Sequence, residues 1–71
     1  MSWMRSVYSS NASEIGWNDQ TNELLVKWAR GGKTSAYAVG SEDVAEACAN
    51  APSVGQFLNM EVKPFYAHRY V

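Results

Sequence analysis

The sequence predicts an α+β domain, an antiparallel meander of three strands followed by two short helices and an extended aromatic tail. Three observations carry this. Apolar residues alternate with period two as far as Val39, the period lengthens to about 3.6 from Ser41, and turn-forming residues fall between the periodic runs.

Ile15 and Trp17 share one face of the first strand, and Leu24, Val26 and Trp28 share one face of the next, with Glu23 and Lys27 opposite and Leu25 interrupting the polar face. Between them, Asn18 to Asn22 is a run of turn formers whose short polar side chains bond the backbone and tolerate left-handed conformations. Gly31-Gly32 supplies the positive φ angles of a second tight turn. Lys33 to Val39 then returns as a third strand, with Ser35, Tyr37 and Val39 on one face. Upstream, alternation through Trp3, Arg5 and Val7 permits a fourth strand, broken by Ser9-Ser10-Asn11.

Ser41 is a suitable helix N-cap, and Glu42 and Asp43 bring negative charge to a first turn, where the helix dipole favours it. Val44, Ala47, Cys48 and Ala51 fall on one face, and Pro52 ends the helix. Ser53-Val54-Gly55-Gln56 has the form of a capping box and opens a second helix. Its buried face comprises Val54, Phe57, Leu58 and Val62, and Pro64 stops it. The segment from Phe65 to Val71 is aromatic enough to need a packing site, along the sheet edge or the helix pair.

At 71 residues the chain is a single domain over 1–71 with a thin core. One cysteine, Cys48, and one histidine, His68, exclude an internal disulfide or a Cys/His zinc set, so neither cofactor nor metal is expected. The first residues have no basic stretch followed by an apolar run, and no segment reaches the ~18 apolar residues of a membrane span. A reducing, cytoplasmic setting is the default expectation. Asn11-Ala12-Ser13 fits a glycosylation pattern, which has no meaning without secretion. Six basic and seven acidic residues, spread along the chain, argue against duplex DNA as a partner but leave room for a local basic patch.

Catalytic candidates have simpler structural readings. Gly32-Lys33-Thr34 resembles the end of a phosphate-binding loop, but Lys27 stands where the first glycine is required and a strand follows where a helix is required. Cys48 occupies an alanine-like position on a buried helix face, where a thiol acts as a small hydrophobe. Glu42, Asp43 and Glu46 are explained by helix-dipole stabilisation and solubility. No enzyme is expected. The constellation that stands out is Lys63-Pro64-Phe65-Tyr66-Ala67-His68-Arg69-Tyr70, which interleaves cations with aromatic rings as single-stranded RNA recognition does. Lys63, Tyr66, His68 and Arg69 are therefore candidate binding residues, and Arg5 and Arg30, with Lys27 and Lys33, extend the basic face if the sheet brings them near Arg69.

Ser9 to Trp17, Leu24 to Trp28 followed by Gly31-Gly32, Ala51 to Asn59, and the Val62 to Val71 ending together resemble the KTSC domain. That family takes its name from the C-terminus of some lysyl-tRNA synthetases and also occurs as free-standing short proteins of bacteria and phages. The third strand departs from the pattern, since Lys33 to Tyr37 fills one of two alternating tyrosine positions, and Trp17 and Trp28 stand where Tyr and Phe are usual. The resemblance implies the meander-then-helices order and points to Gly55, Asn59, Tyr66 and Arg69, whether for folding or for recognition. It implies no particular reaction. The leading expectation is an interaction module that binds another protein, a regulator of a cellular machine in a bacterial or phage setting; the rival is an RNA-binding module. Exposure of Leu25 and Trp3 would in addition allow a second copy to cover the sheet, giving a homo-oligomer.

Overall fold

A computed structural model describes residues 2–71, and its strands are β1 (Trp3–Ser6), β2 (Ala12–Asn18), β3 (Glu23–Trp28), β4 (Thr34–Tyr37) and β5 (His68–Tyr70). All are antiparallel, in the order β1-β2-β3-β4-β5. The expected count of three strands, or four with Trp3 to Tyr8, is corrected to five. Residues 68–70, expected as part of an extended tail, are a strand on β4, because Ala36 and its neighbours leave the outer edge of β4 unpaired until Arg69 and its neighbours reach it.

The turns form for the reasons the residue types suggest. Asn22 adopts φ 57° between β2 and β3, and Gly31 and Gly32 adopt φ 81° and 68° between β3 and β4. The third strand ends at Tyr37 rather than Val39, since a tight turn in which Val39 N–H donates to the Tyr37 carbonyl (2.8 Å) and Gly40 at φ 75° redirect the chain.

Helix α1 (Glu42–Ala49) is capped by Ser41, whose hydroxyl accepts from the Asp43 amide. Its buried residues are Ala45 and Cys48, while Ala47 is exposed, so the apolar stripe is rotated from the expected one. Ser53 caps α2 (Val54–Phe57) by accepting from the Gln56 amide at 3.3 Å. The Gln56 side chain does not reach back to complete a capping box but donates to Met60 Sδ. Helix α2 continues into a π-helical turn, Leu58–Val62, closed by the Lys63 amide on the Leu58 carbonyl at 2.8 Å.

Strand register explains how the sheet is divided. One row across its inner face runs Trp3, Trp17, Leu24, Tyr37, His68, and the next runs Arg5, Ile15, Val26, Ser35, Tyr70. Helix α1 packs on β2 and β3, and Ile15, Trp17, Leu24, Val26, Ala45, Cys48, Val54, Leu58 and Val62 form the core between the layers. At the β1 end the helix is fastened by polar contacts. Trp3 Nε1 donates to Glu42 at 2.9 Å, and both terminal nitrogens of Arg5 donate to Glu46 at 3.2 Å. At the β5 end Ser35 and Tyr37 of β4 are still buried, whereas His68 and Tyr70 of β5 are exposed.

The outer face carries the row Met4, Gly16, Leu25, Ala36, Arg69. Leu25 is half-buried there, whereas Trp3 lies on the helix-covered face, so the two residues expected to share an exposed apolar surface stand on opposite sides.

Candidate functional site

The β4–β5 end of the inner face forms a concavity of about 510 Å³ lined by Trp28, Arg30, Lys33, Ser35, Tyr37, Lys63, His68 and Tyr70. Its floor follows from the register: Ser35 and Tyr37 from β4 stand beside Tyr70 and His68 from β5. Its walls are the β3–β4 turn, which brings Arg30 and Lys33, and the end of the π-helical turn, which brings Lys63.

The rings are held in place by one another and by a hydrogen bond. Tyr37 and His68 lie with centroids 5.2 Å apart, and Tyr70 meets His68 edge-on at 5.5 Å. Burial pushes the Tyr37 phenol above its ordinary pKa, with the nearby Tyr70 adding to the effect, so Tyr37 stays a neutral part of the floor. The Trp28 indole donates to Ser35 Oγ at 2.7 Å, which occupies one acceptor site of that hydroxyl. Two ammonium groups rest over aromatic faces, Lys63 at 5.0 Å from the Trp28 ring centre and Lys33 at 5.2 Å from that of Tyr70.

Charge is segregated. Three cations are engaged elsewhere: Arg5 with Glu46 at 3.2 Å, Lys27 with Glu14 at 3.5 Å and Arg69 with Glu23 at 2.8 Å. Arg30, Lys33 and Lys63 form no ion pair among the described residues, and all of them line this cleft, whose lining contains no carboxylate. Among the described residues, a chain with a formal charge of −1 thus gathers its basic side chains that lack an ion pair in one place. The arrangement suits a ligand that brings negative charge and flat apolar faces together.

Of the residues singled out from sequence, Lys63, His68, Arg30 and Lys33 come together here, while Arg5, Lys27, Tyr66 and Arg69 do not. Arg5 is at the opposite end of the sheet, beside α1. Tyr66 is half-buried against the core. Arg69 points to the outer face, where Nε and a terminal nitrogen clasp Glu23 at 3.1 and 2.8 Å. Trp28, Ser35 and Tyr37 escaped the sequence reading as site residues. Their shared strand parity was the available signal, but the pairing that brings His68 and Tyr70 beside them was not encoded locally.

A polar cleft of about 640 Å³ adjoins this one and shares Trp28, Arg30 and Lys63 with it, adding Ser10, Asn11 and Asn59. Ser9 to Asn11 can pack closely on α2 because residue 55 is glycine. A β-carbon there would come within 3.1 Å of Asn11 Nδ2 and 3.3 Å of Ser9 Oγ. The neighbour that Gly55 accommodates is therefore a pair of polar side chains rather than backbone. Cys48 is fully buried, with burial pushing its thiol up to about 12, and is far from nucleophilic. Among the described residues no group of three or more His, Cys, Asp or Glu side chains could hold a metal ion, and no helix is long and apolar enough to cross a membrane.

The KTSC domain matches residues 8–66 of the chain. The crystal structure of a KTSC domain protein from Yersinia pestis superposes with a TM-score of 0.85, at 22% identity, covering 100% of this chain and 99% of that one. At that identity the likeness establishes a shared fold. A search of curated proteins yields no match.

Proposed function

The chain belongs to the KTSC domain family, and from that premise we propose that it is a non-catalytic binding module of the bacterial or phage cytoplasm whose cleft takes single-stranded RNA. One observation carries the reading: Arg30, Lys33 and Lys63, all outside ion pairs, converge on a cleft floored by Trp28, Tyr37, His68 and Tyr70 and lined by no carboxylate.

Single strands offer phosphates to cations and unstacked bases to rings, and base–aromatic stacking contributes about 1–3 kcal/mol per base. Lys63 and Lys33, resting over Trp28 and Tyr70, are placed to move onto phosphates while bases take the ring faces they leave. Duplex nucleic acid fits less well, because its stacked bases would not reach the rings. The non-catalytic part of the proposal is supported by the burial of Ser35 beneath the Trp28 indole and by the lack of a carboxylate among the lining residues to orient His68 as a base.

A protein partner, the first expectation from composition, would need an acidic segment to satisfy the same cations. Fluorescence anisotropy with a labelled single-stranded RNA of roughly eight nucleotides separates the two readings. The expected result is binding that weakens steeply with salt and falls in Arg30→Gln and Lys63→Gln. Absence of binding at low salt, together with capture of an acidic peptide by the same residues, would overturn the RNA reading in favour of protein.

A further inference from the structure

The cationic cleft is one end of a longer groove. It shares Trp28, Arg30 and Lys63 with the adjoining polar cleft. That cleft in turn shares Ser10, Asn11 and Asn59 with a third concavity of about 590 Å³ running between the Tyr8 to Asn11 loop and the Ser53 to Met60 helical segment. The chemistry changes along the path. Cations line the first two parts, whereas no acidic or basic side chain lines the third, which offers serine hydroxyls, the amides of Asn11, Gln56 and Asn59, and the Tyr8 ring.

The side chains of Asn11 and Asn59 are exposed, and neither amide is used in a side-chain hydrogen bond among the described residues. The loop that carries Asn11 is nonetheless fixed. The Asn11 backbone N–H donates to Ser9 Oγ at 3.2 Å, the Asn11 backbone carbonyl accepts from Ala29 N–H at 2.9 Å, and the loop seats against Gly55. Asn59 is held on the π-helical turn beside the buried Leu58. Tyr8, at the far end, is fully exposed, with its ring free on the surface of a domain that has few rings to spare for its core.

We propose that this neutral end reads base edges of the same RNA strand, with Asn11 and Asn59 as specificity residues, and that the base it prefers is adenine. The inference rests on the RNA reading above. A side-chain amide carries a donor and an acceptor side by side; every base offers a matching pair on its Watson–Crick edge, but adenine alone offers one on both that edge and the Hoogsteen edge, where N6 adjoins N7. In a single strand these edges are open to a protein. Phosphates lie over Arg30, Lys33 and Lys63, where charge supplies affinity without sequence information, and the next bases reach the uncharged amides, where geometry discriminates. Tyr8 closes the groove as a stacking surface.

The test compares oligo-rA, oligo-rU, oligo-rC and oligo-rG of equal length at two salt concentrations, with wild-type protein, Asn59→Ala, Asn11→Ala and Lys63→Gln. The expected result is roughly tenfold tighter binding of oligo-rA than of oligo-rU. Asn59→Ala and Asn11→Ala each reduce that ratio severalfold with the salt dependence unchanged, and Lys63→Gln weakens all four oligomers together with the ratio retained. Equal binding of all four by wild type, or an equal loss for all four in both asparagine variants, overturns base reading and leaves the RNA site intact. Binding of none at low salt overturns both. The asparagines are exposed, so their variants fold; circular dichroism checks this for each.

Discussion

Lys63 holds its ammonium 5.0 Å above the centre of the Trp28 ring, and the indole N–H of that ring is tied to Ser35 at 2.7 Å. The pair joins the helical layer to the sheet at the point where the helices stop, so it defines the mouth of the open end. A cation resting on an aromatic face keeps its charge available, because the ring is a weaker partner than a carboxylate.

Salt dependence distinguishes this lysine from others. Lys63→Gln is expected to lower the slope of log affinity against log salt for single-stranded RNA by about 0.7, the amount for one phosphate contact. Lys27→Gln, on the outer face and paired with Glu14 at 3.5 Å, leaves the slope unchanged. Titrations at several salt concentrations measure both.

Arg69 is predicted to serve the fold. It joins β5 to β3 across β4 through Glu23, whose side chain is only 10% exposed. The guanidinium, and secondarily a hydrogen bond with Thr21, holds the Glu23 carboxyl below the ordinary glutamate value of 4.5. A carboxyl whose pKa is lower folded than unfolded stabilises the protein in full above the unfolded value, and that contribution is lost as pH falls through the folded value. Denaturation midpoints should therefore decline as pH drops below 4.5, and Glu23→Gln should remove part of that decline. Arg69→Ala lowers the midpoint at neutral pH yet leaves RNA affinity of the folded protein unchanged.

Gly16 is predicted to be intolerant of a side chain. A β-carbon there would overlap Met4 Sδ and lie 2.6 Å from the Trp3 carbonyl oxygen. Gly16→Ala should cost about 1–3 kcal/mol, as overpacking does, in urea denaturation. Adding Met4→Ala recovers only part of this, because the backbone contact remains.

Cys48 should be silent toward alkylation in the native state, being fully buried with its thiol pushed up to about 12. Mass spectrometry after iodoacetamide treatment should show modification only under denaturing conditions. Cys48→Ser should destabilise by about 1–3 kcal/mol, since a hydroxyl replaces a thiol in apolar surroundings.

What was legible in the sequence was local. Ser41 and Ser53 cap helices, Gly31-Gly32 turns with positive φ, and Ile15, Trp17, Leu24 and Val26 share a buried face because these outcomes depend on residues a few positions apart. The β5 strand was legible only as one of two packing sites, the sheet edge or the helix pair, since its three residues pair with β4 more than thirty positions upstream. Ala47 was taken for a buried residue because alanine carries little pattern information, and Ala45 is the one that meets the sheet. The cation cluster was half legible: Lys63, His68, Arg30 and Lys33 could be named, but excluding Arg5, Lys27 and Arg69 required knowing which carboxylates they face.

The most direct test of the central claim uses the three tryptophan indole N–H signals in a proton–nitrogen NMR spectrum. Trp28 is in the cleft, Trp3 is bonded to Glu42 at the opposite end of the sheet, and Trp17 is 3% exposed in the core. Titration with a single-stranded oligo-rA should shift the Trp28 indole and the backbone amides of Arg30, Lys33, Lys63 and His68, leaving the Trp3 and Trp17 indoles in place. Shifts centred on Trp3 and α1, or none at low salt, would contradict the assignment of the β4–β5 cleft as the binding site.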